Sequence, residues 1–122
     1  VVDSLKRCFD QPEIQQRFLP PSPNSEVWRE RAFTYVEGDQ YTSGIFDRVT
    51  LERAENGQII SATIIDFKTD RIHEKNTLKE ATERHREQLI SYRKALSHIT
   101  RIPQESITLT LLFTDPAKLV TL

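Results

Sequence analysis

The sequence has a single cysteine, Cys8, in 122 residues. That excludes an internal disulfide framework and any metal cluster held by four cysteines. It also fits a reducing compartment, so a cytoplasmic location is the expectation. No run of about 18 apolar residues exists, so no membrane-spanning helix is expected. The first residues carry no basic stretch followed by an apolar one, the pattern of a signal peptide. Internal repeats and low-complexity segments are absent too. Charge of one sign is missing as well: 17 Lys and Arg stand against 18 Asp and Glu, a net of −1. The strongly basic balance that marks many nucleic-acid binders is therefore not there. A near-neutral chain can still carry local basic groups beside a carboxylate-lined metal site, with other domains of a longer parent supplying long-range attraction.

What is present reads as one domain over residues 1–122, an α/β chain built on a mixed sheet. It starts at Val1, and the expectation is a domain truncated at its N-terminus. Residues 1–24 form a helical lead-in and a proline-rich linker; residues 25–122 form the core. Val2 to Phe9 and Pro12 to Leu19 suit two short helices, with Asp10 placed as a cap and Pro12 in a first turn. The prolines of Leu19 to Ser25 cannot continue a helix. Three strand-like segments follow: Val27 to Glu37, Tyr41 to Arg53 and Gln58 to Thr69. Thr77 and Glu80 make a capping box. Leu78, Ala81, His85, Leu89, Tyr92, Leu96 and Ile99 then recur at helical spacing and make one buried stripe. Pro103 lies beyond the helix. Ser106 to Thr114 is a fourth strand, Asp115-Pro116 a turn, and Lys118 to Leu122 begins a fifth.

Register singles out a site. Asn56-Gly57 is the strongest short hairpin signal, a type I′ turn that pairs Glu55 with Gln58. Counting outward, Val49 faces Ile64, Asp47 faces Asp66 and Ile45 faces Lys68. Directly opposed residues have Cβ atoms about 4.5–5.5 Å apart. Asp66 and Lys68 share a face because strand side chains alternate. The rest of that face, Ile45, Val49, Leu51, Ala62 and Ile64, is apolar. Two carboxylates opposed on such a face repel, and desolvation worsens it. Either one takes a proton or a cation sits between them; Mg2+ or Mn2+ suits oxygen donors. Lys68 adds a cation for a phosphate oxygen or a water. The plainer alternative is a surface ion pair of Asp66 with Lys68, with Asp47 paired to Arg48 or Arg53.

The segments W-R-E-R-A-F (Trp28 to Phe33), G-I-F-D-R-V (Gly44 to Val49), I-I-D-F-K-T (Ile64 to Thr69) and Q-L-I-S-Y (Gln88 to Tyr92) occur in this order. Together they resemble the RecB-like branch of the PD-(D/E)xK nucleases, and more narrowly the C-terminal nuclease domain of AddA- and RecB-type helicase–nucleases. The resemblance implies a restriction-endonuclease-like core, in which an antiparallel three-strand meander is followed by helix and strand. It implies Asp47 and Asp66 as ligands of Mg2+ or Mn2+, with the Phe67 carbonyl as a third and Glu30 as a supporting candidate. Lys68 would be the catalytic lysine. Gln88 and Tyr92 would form a Q-x-x-x-Y motif that contacts DNA or orders the catalytic groups, and Arg48 is a further DNA-contact candidate.

The implied activity is exonuclease cleavage of DNA, single-stranded as fed by a motor. The implied partners are helicase domains of the same parent chain and a second helicase–nuclease subunit. The competing expectation is a catalytically inactive DNA-binding or interaction module. One departure supports it: the branch carries a metal-binding histidine on a helix before the first strand, whereas His73, His85 and His98 all follow the D-x-K strand. His85 is expected to be part-buried on the helix and the other two exposed. Trp28 and Phe33 are expected to pack rather than stack on bases. Arg29, Arg31, Arg84 and Arg86 are expected on solvated faces.

Overall fold

The computed structural model describes residues 10–18, 23–115 and 117–122. The expected helix over Val2 to Phe9, Cys8 and most of the proline-rich linker lie outside them. The element order is α1 (Pro12–Phe18), β1 (Ser25–Glu37), β2 (Gln40–Arg53), β3 (Ile59–Arg71), α2 (Leu78–Thr100), β4 (Ile107–Asp115) and β5 (Ala117–Thr121). The strands form one five-stranded sheet in the order β1-β2-β3-β4-β5. β1, β2 and β3 are antiparallel neighbours, β4 lies parallel to β3, and β5 returns antiparallel. A parallel neighbour demands a crossover, and α2 supplies it.

Period-two patterning fixes the two faces of the sheet. On one face Val49, Leu51, Ala62, Ile64, Leu109, Leu111 and Phe113 pack against Ala81, Leu89, Tyr92, Ala95 and Leu96 of α2. On the other, Ile14 of α1 packs on Ile65 and Leu112. The helical stripe holds except at its end, where Ile99 is exposed. Thr77 caps α2 by accepting the Glu80 N–H at 3.3 Å. At the other end Arg101 adopts a left-handed conformation and donates its N–H to Ser97, 2.8 Å away.

The β2–β3 turn is not the two-residue type. Gly57 donates to the Ala54 carbonyl at 2.9 Å, and Ala54 donates to the Gln58 carbonyl at 2.8 Å. Glu55, Asn56 and Gly57 thus form a three-residue loop in which Gly57 alone has positive φ, +87°. The reason is local: the Asn56 side chain accepts the Gln58 N–H at 3.0 Å. Such a loop closes as an ordinary turn followed by a left-handed glycine. Glu55 therefore does not pair with Gln58. The register shift ought to misalign everything beyond it, but a bulge between Arg53 and Glu52 undoes it. Val49 accordingly faces Ile64, as expected, through two deviations that cancel.

A second irregularity matters more. In β1, Trp28 and Phe33 both pack on the α2-side core, although strict alternation would separate them. In β2, Phe46 and Val49 do the same. Both strands change face at one rung, between the Arg29–Arg48 and Arg31–Phe46 pairs. That rung carries Glu30 and Asp47, and Glu30 sits at φ 47°. The β1–β2 register does not shift there, so both strands turn their side chains over together and neither carries a one-sided bulge. Ile45 is consequently turned outward and 55% exposed, not on the Val49 face as expected. It does not pair with Lys68 either: the β2–β3 ladder ends at Arg48–Ile65.

Candidate metal and phosphodiester site

Where the ladder stops, side chains take over. The next rung holds Asp47 and Asp66. The Phe67 N–H, which would have joined a strand partner, donates instead to Asp47 Oδ2 at 2.8 Å. In an extended chain the N–H and C=O of one residue leave by the same edge, so the Phe67 carbonyl also points toward the Asp47 side.

Asp66 is 4% exposed. Its Oδ2 lies 2.8 Å from Lys68 Nζ, and the two side chains are 6% and 17% exposed. This is a sheltered pair, not the surface ion pair of the plainer alternative, and Arg53 pairs with Glu26 at 3.5 Å rather than with Asp47. Lys68 Nζ also donates to Gln88 Oε1 at 2.8 Å. Gln88 Nε2 in turn reaches the Tyr92 hydroxyl at 3.4 Å. An ammonium group can only donate, so the Gln88 oxygen must face Lys68 and its amide nitrogen must face Tyr92. One contact chain thus runs Asp66, Lys68, Gln88, Tyr92. The helix residues reach it because positions four apart share a face.

Burial pushes the Asp47 carboxyl up. The Phe67 N–H pulls it down and the Asp66 carboxyl pushes it up again, leaving it raised to about 6. Tyr92 is raised by burial and by the Asp66 charge, so its hydroxyl keeps its proton at neutral pH. Its ring packs edge-on against Phe33 and Phe46, with centroids 5.1 and 5.7 Å away.

Gly44 makes room for it. A Cβ there would lie 2.9 Å from the Tyr92 hydroxyl and 3.1 Å from the Phe33 ring. In the sequence Gly44 carries one signal of this role, a glycine inside a strand, which often marks close approach.

The donor set fits a hard divalent cation. It offers two carboxylates and a carbonyl on one edge. One buried carboxylate oxygen, Asp66 Oδ2, accepts no properly aligned hydrogen bond despite its near ammonium. Two carboxylates are enough for Mg2+, which keeps waters and takes substrate phosphate oxygens for the rest. Glu30 does not join them: it is exposed, and among the described residues no group of three His, Cys, Asp or Glu side chains converges. A left-handed residue at the face-changing rung carries it away from the carboxylates.

Arg48 is also misplaced as a DNA contact. It is 6% exposed and lies across from Ile65, on the face away from α2. Burial, together with the Arg29 charge, lowers its pKa. Trp28 and Phe33 pack as expected: Phe33 stacks on Phe46 at 4.3 Å, and Arg31 covers the Trp28 ring at 4.1 Å. His85 is part-buried, while His73 and His98 are exposed.

A protein-family profile described as the PD-(D/E)XK nuclease superfamily matches residues 3–121. No curated protein matches the sequence.

Proposed function

Because the chain belongs to the PD-(D/E)XK nuclease superfamily, we propose that it is a metal-dependent DNA nuclease domain whose site is the open end of the β2–β3 ladder. The observation that carries this is the convergence of Asp47, Asp66, Lys68, Gln88 and Tyr92 from two strands and one helix. Three of them supply the charges that phosphodiester hydrolysis needs.

Asp47, Asp66 and the Phe67 carbonyl would hold Mg2+ or Mn2+. When bound, such an ion neutralises phosphoryl charge and lowers the pKa of a coordinated water. Lys68 is fixed between Asp66 and Gln88, which removes most of its rotamer freedom and leaves an ammonium proton for a phosphate oxygen. Gln88 holds that ammonium at the right height. Tyr92 holds Gln88 and stays protonated as a donor. The Phe67 N–H fixes one oxygen of Asp47, leaving the other for the cation.

The finer reading is a RecB-like exonuclease acting in recombination or repair, within a longer helicase–nuclease. It would act on single-stranded DNA beside helicase domains of its own chain and a second subunit. Its support is the order of the four segments and the Q-x-x-x-Y pair on α2, which meets the site lysine. A second reading, a fold kept for binding without cleavage, draws on the absence of a third convergent acidic or histidine side chain among the described residues.

Cleavage of labelled single-stranded DNA separates them. The proposal expects cleavage with Mg2+ or Mn2+, none with EDTA, and loss on Asp66→Ala or Lys68→Ala. Unchanged cleavage in those variants would sink it. DNA binding without cleavage or Mn2+ binding would select the second reading.

A further inference from the structure

A second group of contacts lies one rung beyond Lys68, separate from the chain that runs Asp66, Lys68, Gln88, Tyr92. On β3, Lys68 and Asp70 both reach side chains of α2, although the register against β4 shifts between Lys68 and Arg71. On α2, Arg84, Gln88 and Tyr92 follow one another at steps of about 6 Å. The rows are cross-linked rung by rung. Gln88 meets Lys68 at 2.8 Å, and one rung further Arg84 Nη2 meets Asp70 Oδ2 at 2.9 Å. The same Nη2 donates to Asn76 Oδ1 at 2.6 Å. His85 holds the other Asp70 oxygen at 3.0 Å.

We infer that Arg84 binds the phosphate adjacent to the scissile one, so that the substrate is a nucleic-acid strand lying along the β3–α2 seam. This rests on the nuclease reading of the Asp47–Asp66–Lys68 site. Three features support it. The guanidinium is anchored by one nitrogen only; Nη1 and Nε make no hydrogen bond to the described residues. Arg84 is the outer member of its pair, with its side chain 49% exposed against 17% for Asp70, so an approaching anion meets the cation first. The rung spacing is comparable to the distance between successive phosphates along a strand. An anchored arginine with free donors is a pre-organised phosphate fork. Burial pushes the Asp70 carboxyl up, but hydrogen bonds from Arg84 and His85 outweigh this and hold it low, so the anchor stays ionised at neutral pH. Arg86 is different: it pairs with Glu83, one helical turn back on the surface, at 3.0 Å.

The test is fluorescence anisotropy of a labelled oligothymidylate with the full chain in EDTA, over a range of salt. Arg84→Ala should weaken binding about tenfold. It should also flatten the plot of log affinity against log salt by about 0.7, the loss of one phosphate contact on a single strand. Arg84→Gln, which can keep a bond to Asp70, should lose the same slope at unchanged melting temperature. Arg84→Lys should keep the slope, and Arg86→Ala should match the wild type.

In cleavage, Arg84→Ala should raise KM for the oligonucleotide with kcat nearly unchanged. It should leave hydrolysis of bis(p-nitrophenyl) phosphate unaffected. An unchanged salt slope in Arg84→Gln and Arg84→Ala, or no measurable binding by the wild type, overturns the inference. Arg84-dependent binding by a wild type that cuts nothing would keep the strand-binding role of Arg84 and sink the nuclease reading, and with it the placement beside a scissile phosphate. Cleavage without Arg84-dependent binding would do the reverse.

Discussion

The β2–β3 ladder is finished in two opposite ways. At the hairpin end every irregularity is repaired by backbone: a three-residue loop shifts the register and the bulge beside Arg53 shifts it back. At the other end nothing restores the pairing. The strands part after Arg48–Ile65, and a carboxylate takes the N–H that a carbonyl would have taken. The first solution consumes its polar groups locally. The second gathers two carboxylates in a sheltered place with one ammonium between them and the helix, so that negative charge is left over. Polar groups that resist pairing in a sheltered position are costly to fold and useful for chemistry.

Perturbing the open end should have the largest effects. Lys68→Ala should lower kcat by about 100- to 1,000-fold, the range for one lost donor to a developing anion. Single-turnover cleavage checks it, with circular dichroism to show an intact fold. Gln88→Ala removes the acceptor that fixes Lys68 and should cost about 10- to 100-fold in kcat, as for other supporting groups. Gly44→Ala forces a methyl group against Tyr92 and Phe33. Overpacking of this kind costs about 1–3 kcal/mol. Thermal unfolding should show the loss, and cleavage should fall with it because Tyr92 moves. The hairpin end should behave differently. Gly57→Ala strains a positive-φ position at about 1 kcal/mol and should lower the melting temperature without altering cleavage. Lost cleavage in Gly57→Ala would break the contrast between the two ends.

The smallest effect is a pH dependence of the metal-free protein. Asp47 is raised from 3.8 to about 6 on folding. Between those values the native state binds more protons than the unfolded one, so stability from this group is full below about pH 4 and is lost as pH rises through about 6. The contribution of Asp47 to the metal-free melting temperature should therefore rise on acidification from pH 7 to 5. Asp47→Asn keeps an acceptor for the Phe67 N–H and should flatten that slope. Differential scanning calorimetry of both proteins in EDTA measures the difference.

Much of this was legible in residue order. Period-two and helical spacing placed the strands and α2, and the same-face placement of Asp66 and Lys68 followed from alternation alone. Gln88 and Tyr92 share a face for the same kind of reason. The pairing of Val49 with Ile64 came out as expected, but only because the loop and the bulge cancel. What was not legible depends on tertiary context. Nothing local marks Glu30 for positive φ, so the face change at the Glu30–Asp47 rung had no signal. That one feature explains why Ile45 points outward and does not pair with Lys68, and why Glu30 leaves the acidic group. Arg48 reads as a surface cation beside Asp47, but one strand step puts it on the opposite, buried face.

Mn2+ titration by isothermal calorimetry reads whether Asp47 and Asp66 share a divalent cation at the parted end of the ladder. The wild type should show a binding event, abolished by Asp66→Asn, sharply weakened by Asp47→Asn and weakened in the wild type as pH falls through about 6. Equal Mn2+ binding by the wild type and both variants would contradict a shared cation, as would the absence of binding to the wild type at neutral pH.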